Sequence, residues 1–183
     1  MSDAPKPEDV ADLREGNISL ILDSYDDIFS DFDPRPYEHK ALSDDFLSEC
    51  RNACRDKDEF ELELRLLLPK DKRDPESEQK IKHRLHEHFH KHHTEKRREL
   101  RALRQKGALM VAFGIVCFII TVYLNMLDLP PLRYNILIFL FEPAGWFLMW
   151  TGLEQLFFAP KEQEGEYHFY RKMSNLHITF FSY

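Results

Sequence analysis

Two long apolar runs interrupt an otherwise polar chain. Residues 107–127 carry no charged side chain, and residues 134–153 carry one, Glu142. At about 1.5 Å per residue, a helix of either length reaches roughly 30 Å, which is the thickness of the hydrocarbon core of a bilayer. We therefore predict transmembrane helices over 107–127 and 134–158, joined by a short turn outside the membrane over 128–133.

Alternation of apolar and polar residues predicts strands in the polar part of the chain. The apolar positions of one such segment are Phe60, Leu62, Leu64, Leu66 and Leu68, with charged residues at three of the four positions between them. This period of two is typical of a strand with one buried and one solvated face. A second strand, largely buried, is predicted around residues 18–22.

A helix is predicted between these two strands, and a third strand near the C-terminal end. Ser43 is a good N-cap, Asp44 and Asp45 suit the first turn of a helix, and apolar residues follow at helical spacing. Strand, helix and strand over about 50 residues suit a right-handed βαβ unit, but two strands alone make a marginal sheet. Residues 176–183 have strand composition, so we expect them to complete the sheet.

The predicted fold class is an α+β membrane protein, in which a two-helix transmembrane hairpin carries a small cytosolic domain of βαβ type completed by the C-terminal strand. No Gly or Pro interrupts residues 76–106, so this His-, Lys- and Arg-rich helix is expected to continue directly into the first span. The other predicted segments are a disordered acidic leader (1–16), the cytosolic α/β domain (17–75) and a cytosolic tail with the terminal strand (159–183).

The distribution of charge predicts the topology. The chain has 25 Lys and Arg against 32 Asp and Glu, yet a basic block lies just before the first apolar run: Lys96, Arg97, Arg98, Arg101, Arg104 and Lys106. Basic residues beside a span stay on the cytoplasmic side and contact anionic lipid headgroups. We therefore expect an integral protein of the cytoplasmic membrane with two spans and both terminal regions in the cytoplasm. The acidity of the remaining chain argues against nucleic acid as a partner.

Six histidines lie close together in the charged helix, and residues 86–90 read His-Glu-His-Phe-His. This stretch resembles the HExxH motif of zinc metalloproteases, which implies zinc ligation by His86 and His90 and a general base at the Glu between them. Arg84 lies before the stretch and Lys91 follows it, whereas that family has uncharged neighbours, so we favour a solvated polar face. Metal binding by His86, His90 and His93 is the alternative, and no cofactor is predicted.

Glu142 is a costly residue at its position in the second predicted span, by about 2.5–3.5 kcal/mol on insertion scales. Pro143 removes a backbone donor and predicts a kink. A tight hairpin brings Thr121 within reach, so one interpretation is a protonated Glu142 hydrogen-bonded to Thr121. The alternative is a functional Glu142 that lines a pore or assembles a bundle. Gly145 and Gly152, two turns apart, allow close helix approach, and we expect homo-oligomerisation through their face.

Motifs of the common enzyme classes are absent from the sequence, which has no Gly-rich phosphate loop, no GxSxG and no complete set of metal ligands. We therefore expect a non-enzymatic, membrane-anchored interaction or assembly protein. It is expected to be homo-oligomeric and to present its cytosolic domain to a cytosolic protein partner. The alternative is a small oligomeric ion channel or pore with Glu142 facing the lumen.

Overall fold

The computed structural model describes residues 18–55, 63–127 and 130–183, apart from the side chain of Glu162. The predicted leader, residues 60–62 of the strand predicted from the alternation of residues 60–68, and the first two residues of the predicted turn lie outside the described residues. Two compact units are present: the first ends at His93 and includes His168–Tyr183, and the second is Thr94–Tyr167. The elements are β1 (Ile18–Ile21), α1 (Asp44–Cys54), β2 (Glu63–Leu68), α2 (Pro75–Asn125), α3 (Pro131–Phe157), α4 (Ala159–Ser174) and β3 (His177–Ser182), with short 3-10 helices at Tyr25–Ile28 and Lys70–Lys72.

The three strands form a parallel sheet in the order β1-β2-β3. The register pairs Leu20 with Leu66 and Leu66 with Phe180. The strand predicted from the alternation of residues 60–68 is confirmed over its described part, and the expected completion of the sheet by the C-terminal strand is also confirmed. The parallel pairing of β1 with β2 follows from the crossover through α1, as the βαβ pattern predicts.

One face of the sheet forms the core of the first unit. In β2 alternate residues are buried, because the side chains of a strand point to opposite faces in turn. Helix α1 begins after Ser43, as predicted, and buries Phe46, Cys50 and Cys54, which lie four residues apart on one face. The other helical contributions to this core are Ile81, Leu85 and Phe89 from α2 and Phe169, Tyr170 and Met173 from α4.

Helix α2 is continuous over 51 residues, as the lack of Gly and Pro between residues 76 and 106 predicts. Its start is capped by Asp74, whose carboxylate accepts a hydrogen bond from the backbone N–H of Ser77 at 3.0 Å. Pro75 occupies the first turn, where its missing N–H has no intrahelical acceptor to bond. One helix therefore supplies core residues to the first unit and an apolar segment to the second.

The second unit joins the C-terminal part of α2 to α3 and the first half of α4. Helices α2 and α3 are long and apolar enough to cross a membrane by length and composition, in agreement with the two predicted spans. In their most apolar windows only 17% and 11% of the residues are buried. Most apolar side chains of these windows therefore point away from the chain itself.

The segment between the second apolar run and β3 differs from the prediction, which placed a tail with only a terminal strand over 159–183. Residues Ala159–Ser174 form the helix α4, which buries Phe169, Tyr170 and Met173 in the core. These residues recur at spacings of one and three, so they share one helix face.

Candidate functional site

Glu142 is exposed on α3, within the apolar part of the helix. Among residues 18–55, 63–127 and 130–183 its carboxylate has no hydrogen-bond or ion-pair partner. The hydroxyl of Thr121 donates instead to the carbonyl oxygen of Cys117, at 3.0 Å within its own helix. The structure therefore does not join Thr121 to Glu142, and a polar carboxyl group faces outward from an apolar surface. Pro143, beside it, lies inside α3 without ending the helix.

A polar contact that the sequence reasoning missed links α2 and α3 near the turn. The Asn125 side chain donates to the carbonyl oxygen of Thr121 at 2.9 Å, and the Tyr134 hydroxyl donates to the Asn125 side-chain oxygen. The signal available in the sequence was the pair of polar side chains near the facing ends of two apolar runs. This contact fixes the ends of the hairpin to each other and leaves Glu142 outside it.

Four glycines make the close contact between α2 and α3. A Cβ at Gly107 would lie 2.8 Å from the carbonyl oxygen of Gly152, and a Cβ at Gly114 would lie 3.0 Å from that of Gly145. Because no side chain could fit there, the two backbones approach more closely than larger residues allow. Gly145 and Gly152 thus pack α3 against α2 of the same chain. Their face is occupied within the chain in this structure. Homo-oligomerisation itself stays a prediction.

The basic block is partly engaged by the acidic first half of α4. The ammonium of Lys96 lies 2.9 Å from Glu166, and Arg104 lies 3.9 Å from Glu164. The hydrogen bond that Lys96 donates to Glu166 raises the pKa of Lys96. The side chains of the remaining four residues, Arg97, Arg98, Arg101 and Lys106, are exposed. Lys96 and Arg104 are thus the members of the basic block with ion pairs to α4.

Two of the six histidines, His88 and His92, make ring contacts in the first unit. The His88 and His92 ring centroids are 4.4 Å apart, and His92 lies 5.2 Å from the ring of Tyr170 on α4. Within the described part of the chain, no three His, Cys, Asp or Glu side chains are grouped so that they could hold a metal ion. The structure therefore does not assemble His86, His90 and His93 as ligands.

The His88 ring has a strongly lowered pKa. Its Nε2 is buried and has no hydrogen-bond partner in the described residues. Burial, with smaller contributions from the neighbouring His92, Arg84 and Lys91, lowers the pKa of His88 to about 4. The ring is therefore neutral at physiological pH, and its protonation would place a charge without an acceptor inside the first unit.

Acid is expected to destabilise the first unit through His88. Because the pKa is lower in the folded state, the unfolded chain binds the proton more readily between pH 6.5 and 4. The stability contributed by neutral His88 is present above pH 6.5 and lost as the pH falls towards 4. After discounting for partial exposure, we expect a loss of about 1–2 kcal/mol in the free energy of unfolding. The measurement is hydrogen exchange of β2 in the full chain against pH.

Two histidine substitutions on α2 test whether His88 causes this loss of stability in acid. His88→Gln should flatten the pH dependence between pH 6.5 and 4, whereas His83→Gln, at an exposed position, should leave it as in the parent. An identical pH profile in the parent and in His88→Gln would contradict the assignment to His88.

The second face of the sheet carries an apolar row that the sequence reasoning did not single out. Ile21, Leu67 and Phe181 are register partners across the three strands and lie outside the core of the first unit. Ile21 is 62% exposed and Phe181 is 38% exposed. The guanidinium of Arg65, also on this face, lies 5.2 Å from the centroid of the Phe181 ring. We call Ile21, Leu67 and Phe181 the outer row.

A hydrogen-bonded group borders the outer row at the start of β2. The Thr179 hydroxyl donates to Glu63 at 2.6 Å, and Arg65 donates to the other oxygen of Glu63 at 2.9 Å. These hydrogen bonds, led by the one from Thr179, lower the pKa of Glu63. The outer face therefore combines apolar side chains with an ordered ion pair.

No protein-family model, no curated protein and no solved structure matches this chain. Its function therefore has to follow from its own residues. Three features stand out in the described part: the outer row on the sheet, the exposed apolar surface of α2 and α3, and Glu142 within that surface.

Proposed function

We propose that this chain is a non-enzymatic, membrane-anchored interaction protein, which presents its first unit to a cytosolic protein partner at the cytoplasmic membrane. The observation that carries the proposal is the outer row of Ile21, Leu67 and Phe181. Parallel sheets are almost always covered on both faces. A partner that packs on the outer row would supply that second cover, and the Glu63–Arg65 pair beside it would orient the contact.

Membrane insertion is supported by where the apolar side chains point. The core helix of a soluble protein buries its apolar residues, whereas the apolar windows of α2 and α3 leave most of theirs exposed. A continuous exposed apolar surface of this size is unfavourable in water and favourable in hydrocarbon. The hairpin that links the two helices is the simplest structure that satisfies all backbone hydrogen bonds in lipid.

The proposed topology, with both terminal regions in the cytoplasm, is supported by the sheet. Strand β3 follows the two apolar helices in the chain, yet it pairs with β2, which precedes them. Both ends of the hairpin must then be on the same side of a membrane. The exposed Arg97, Arg98 and Arg101 lie just before the apolar part of α2, and such residues favour the cytoplasmic side.

Site-specific photo-crosslinking in native membranes tests the proposed contact. A photoreactive phenylalanine analogue at Ile21 is expected to give a discrete adduct with a cytosolic protein. The same analogue at Phe32, which is 97% exposed and lies outside the three strands, is the matched control and should give none. Phe181→Glu should abolish the adduct at Ile21, because a charge would then face the apolar contact. Equal labelling at Ile21 and Phe32, or an adduct with a second copy alone, would contradict the proposal.

A small oligomeric ion channel is the second candidate, and the exposed Glu142 favours it. A carboxyl group in lipid finds a partner most readily in another copy of the chain or in a water-filled lumen. Two helices cannot enclose a water path, so a pore requires about four or more copies. In either assembly the copies would meet through the Glu142 surface, because the glycine face is occupied within each chain.

The channel candidate predicts a specific effect of Glu142→Gln. In mild detergent, native mass spectrometry of the full chain should find a closed ring of about four or more copies. Glu142→Gln should then change the bilayer conductance while the ring stays intact, because the lumen loses a charge. Phe139→Leu, also on the exposed surface of α3, is the control and should leave conductance unchanged. A monomer or dimer would eliminate the channel and leave the anchored interaction protein.

A further inference from the structure

A groove at the end of α3 combines aromatic rings with one carboxylate. It encloses about 670 Å³ and is lined by Trp150, Leu153, Glu154, Phe157 and Phe158. The first four residues recur at spacings of three, four and seven, so they share one face of α3, and Phe158 follows the last residue of that helix. We call this the aromatic groove.

The lining chemistry is complementary to a cation. Glu154 is the one ionisable residue of the groove, and in the described ranges its carboxylate has no hydrogen-bond or ion-pair partner. The faces of Trp and Phe rings carry partial negative charge and attract cations. Besides the Glu154 carboxylate, the side chains of the groove offer no oxygen acceptor. A weakly hydrated cation that needs few hydrogen bonds therefore fits better than a primary ammonium.

The position of the groove selects the source of that cation. The groove lies where α3 ends at Phe157, directly before the polar and charged first half of α4. In a spanning helix, this change from apolar to polar residues marks the level of the lipid headgroups. We infer that the aromatic groove binds the quaternary ammonium of a choline-type phospholipid headgroup. The inference rests on the proposed membrane insertion and adds a specific lipid to it.

The test is lipid retention by the full chain, measured by native mass spectrometry. The protein is purified from vesicles with equal amounts of phosphatidylcholine, phosphatidylethanolamine and phosphatidylglycerol of the same acyl chains. The expected result is an enrichment of bound phosphatidylcholine over the other two by about tenfold, which lies between the ratios expected for an exposed and for a desolvated cation–π contact. Glu154→Gln and Phe157→Leu should each remove most of this enrichment.

The structure offers a closely matched control. Phe147 and Phe157 both lie on α3 and are 66% and 67% exposed, but only Phe157 lines the aromatic groove. Phe147→Leu should therefore retain the enrichment that Phe157→Leu loses. Equal retention of the three headgroups by the parent, or equal losses in the two Phe variants, would overturn the inference and reduce the rings to a non-specific interfacial belt. Flotation of the same variants with vesicles tests membrane insertion separately, so failure of the groove and failure of the anchor are distinguishable.

Discussion

A chain that ends at Asn175 is expected to lose the folded first unit altogether. The deletion removes β3 together with Leu176, Ile178 and Phe180, which are all buried in the core. Loss of one such side chain typically costs about 2–5 kcal/mol, so three together reach the whole stability of a small domain, about 5–15 kcal/mol. Strand β2 would also lose one of its two neighbouring strands, which it pairs with at six register positions.

Hydrogen exchange by mass spectrometry on the full-length and shortened chains in the same micelles measures this effect. Protection should disappear in β2 and α1 and persist in the apolar part of α2, which belongs to the second unit. Two neighbouring substitutions separate packing from backbone pairing. Phe180→Ala, at a residue 5% exposed on the core face, should cost about 3–5 kcal/mol, whereas Phe181→Ala on the outer row should cost far less. Unchanged protection of β2 in the shortened chain would contradict the role of β3.

Gly152→Ala is expected to destabilise the hairpin of α2 and α3. The added Cβ would lie 2.8 Å from the backbone nitrogen of Val111 and 2.9 Å from the carbonyl oxygen of Gly107. These are backbone atoms, so the strain can be relieved only if the two helices move apart. Overpacking of this kind typically costs about 1–3 kcal/mol. Unfolding of the full chain in mixed micelles, followed by the loss of helix, gives the free energy.

Two further glycines turn this expectation into a graded series. Gly145→Ala should cost less than Gly152→Ala, because its closest contact is a side-chain carbon of Cys117 at 3.2 Å. Gly165→Ala is the matched control, since it lies in α4 with no atom within 4 Å of an added Cβ. That substitution should stabilise α4 by about 1 kcal/mol through helix propensity alone. The same sign for Gly152→Ala and Gly165→Ala would refute the close-packing account.

Elements that are encoded by the local spacing of apolar and polar residues could be predicted from the sequence. The apolar runs, the continuous helix before the first of them, the N-terminal boundary of α1 and the strands β2 and β3 depend on the spacing of side chains along the chain. Each of these is a property of neighbouring residues, and burial of an apolar face is sufficient reason for the element to form. Helix α4 was not predicted, although its buried residues Phe169, Tyr170 and Met173 also recur at helical spacing.

Features that depend on which elements meet could not be read in this way. Gly145 and Gly152 have the spacing of a helix contact whether the other helix belongs to a second copy or to the same chain. Pairing with Gly107 and Gly114 became visible only in three dimensions. His86, His90 and His93 likewise have the spacing of metal ligands along the chain. Among the residues that the structure describes, however, no three potential ligands are grouped so that they could hold a metal ion.

The outer row of the sheet illustrates the physical reason most clearly. The alternation of apolar and polar residues in β2 predicts that the strand has one buried and one outer face. The burial of Leu64, Leu66 and Leu68 follows from this alternation. Whether Leu67 meets Ile21 and Phe181 depends on the order and register of strands that are distant in the chain. Local spacing specifies an element because its contacts are with near neighbours, whereas a surface is made by residues that only long-range pairing brings side by side.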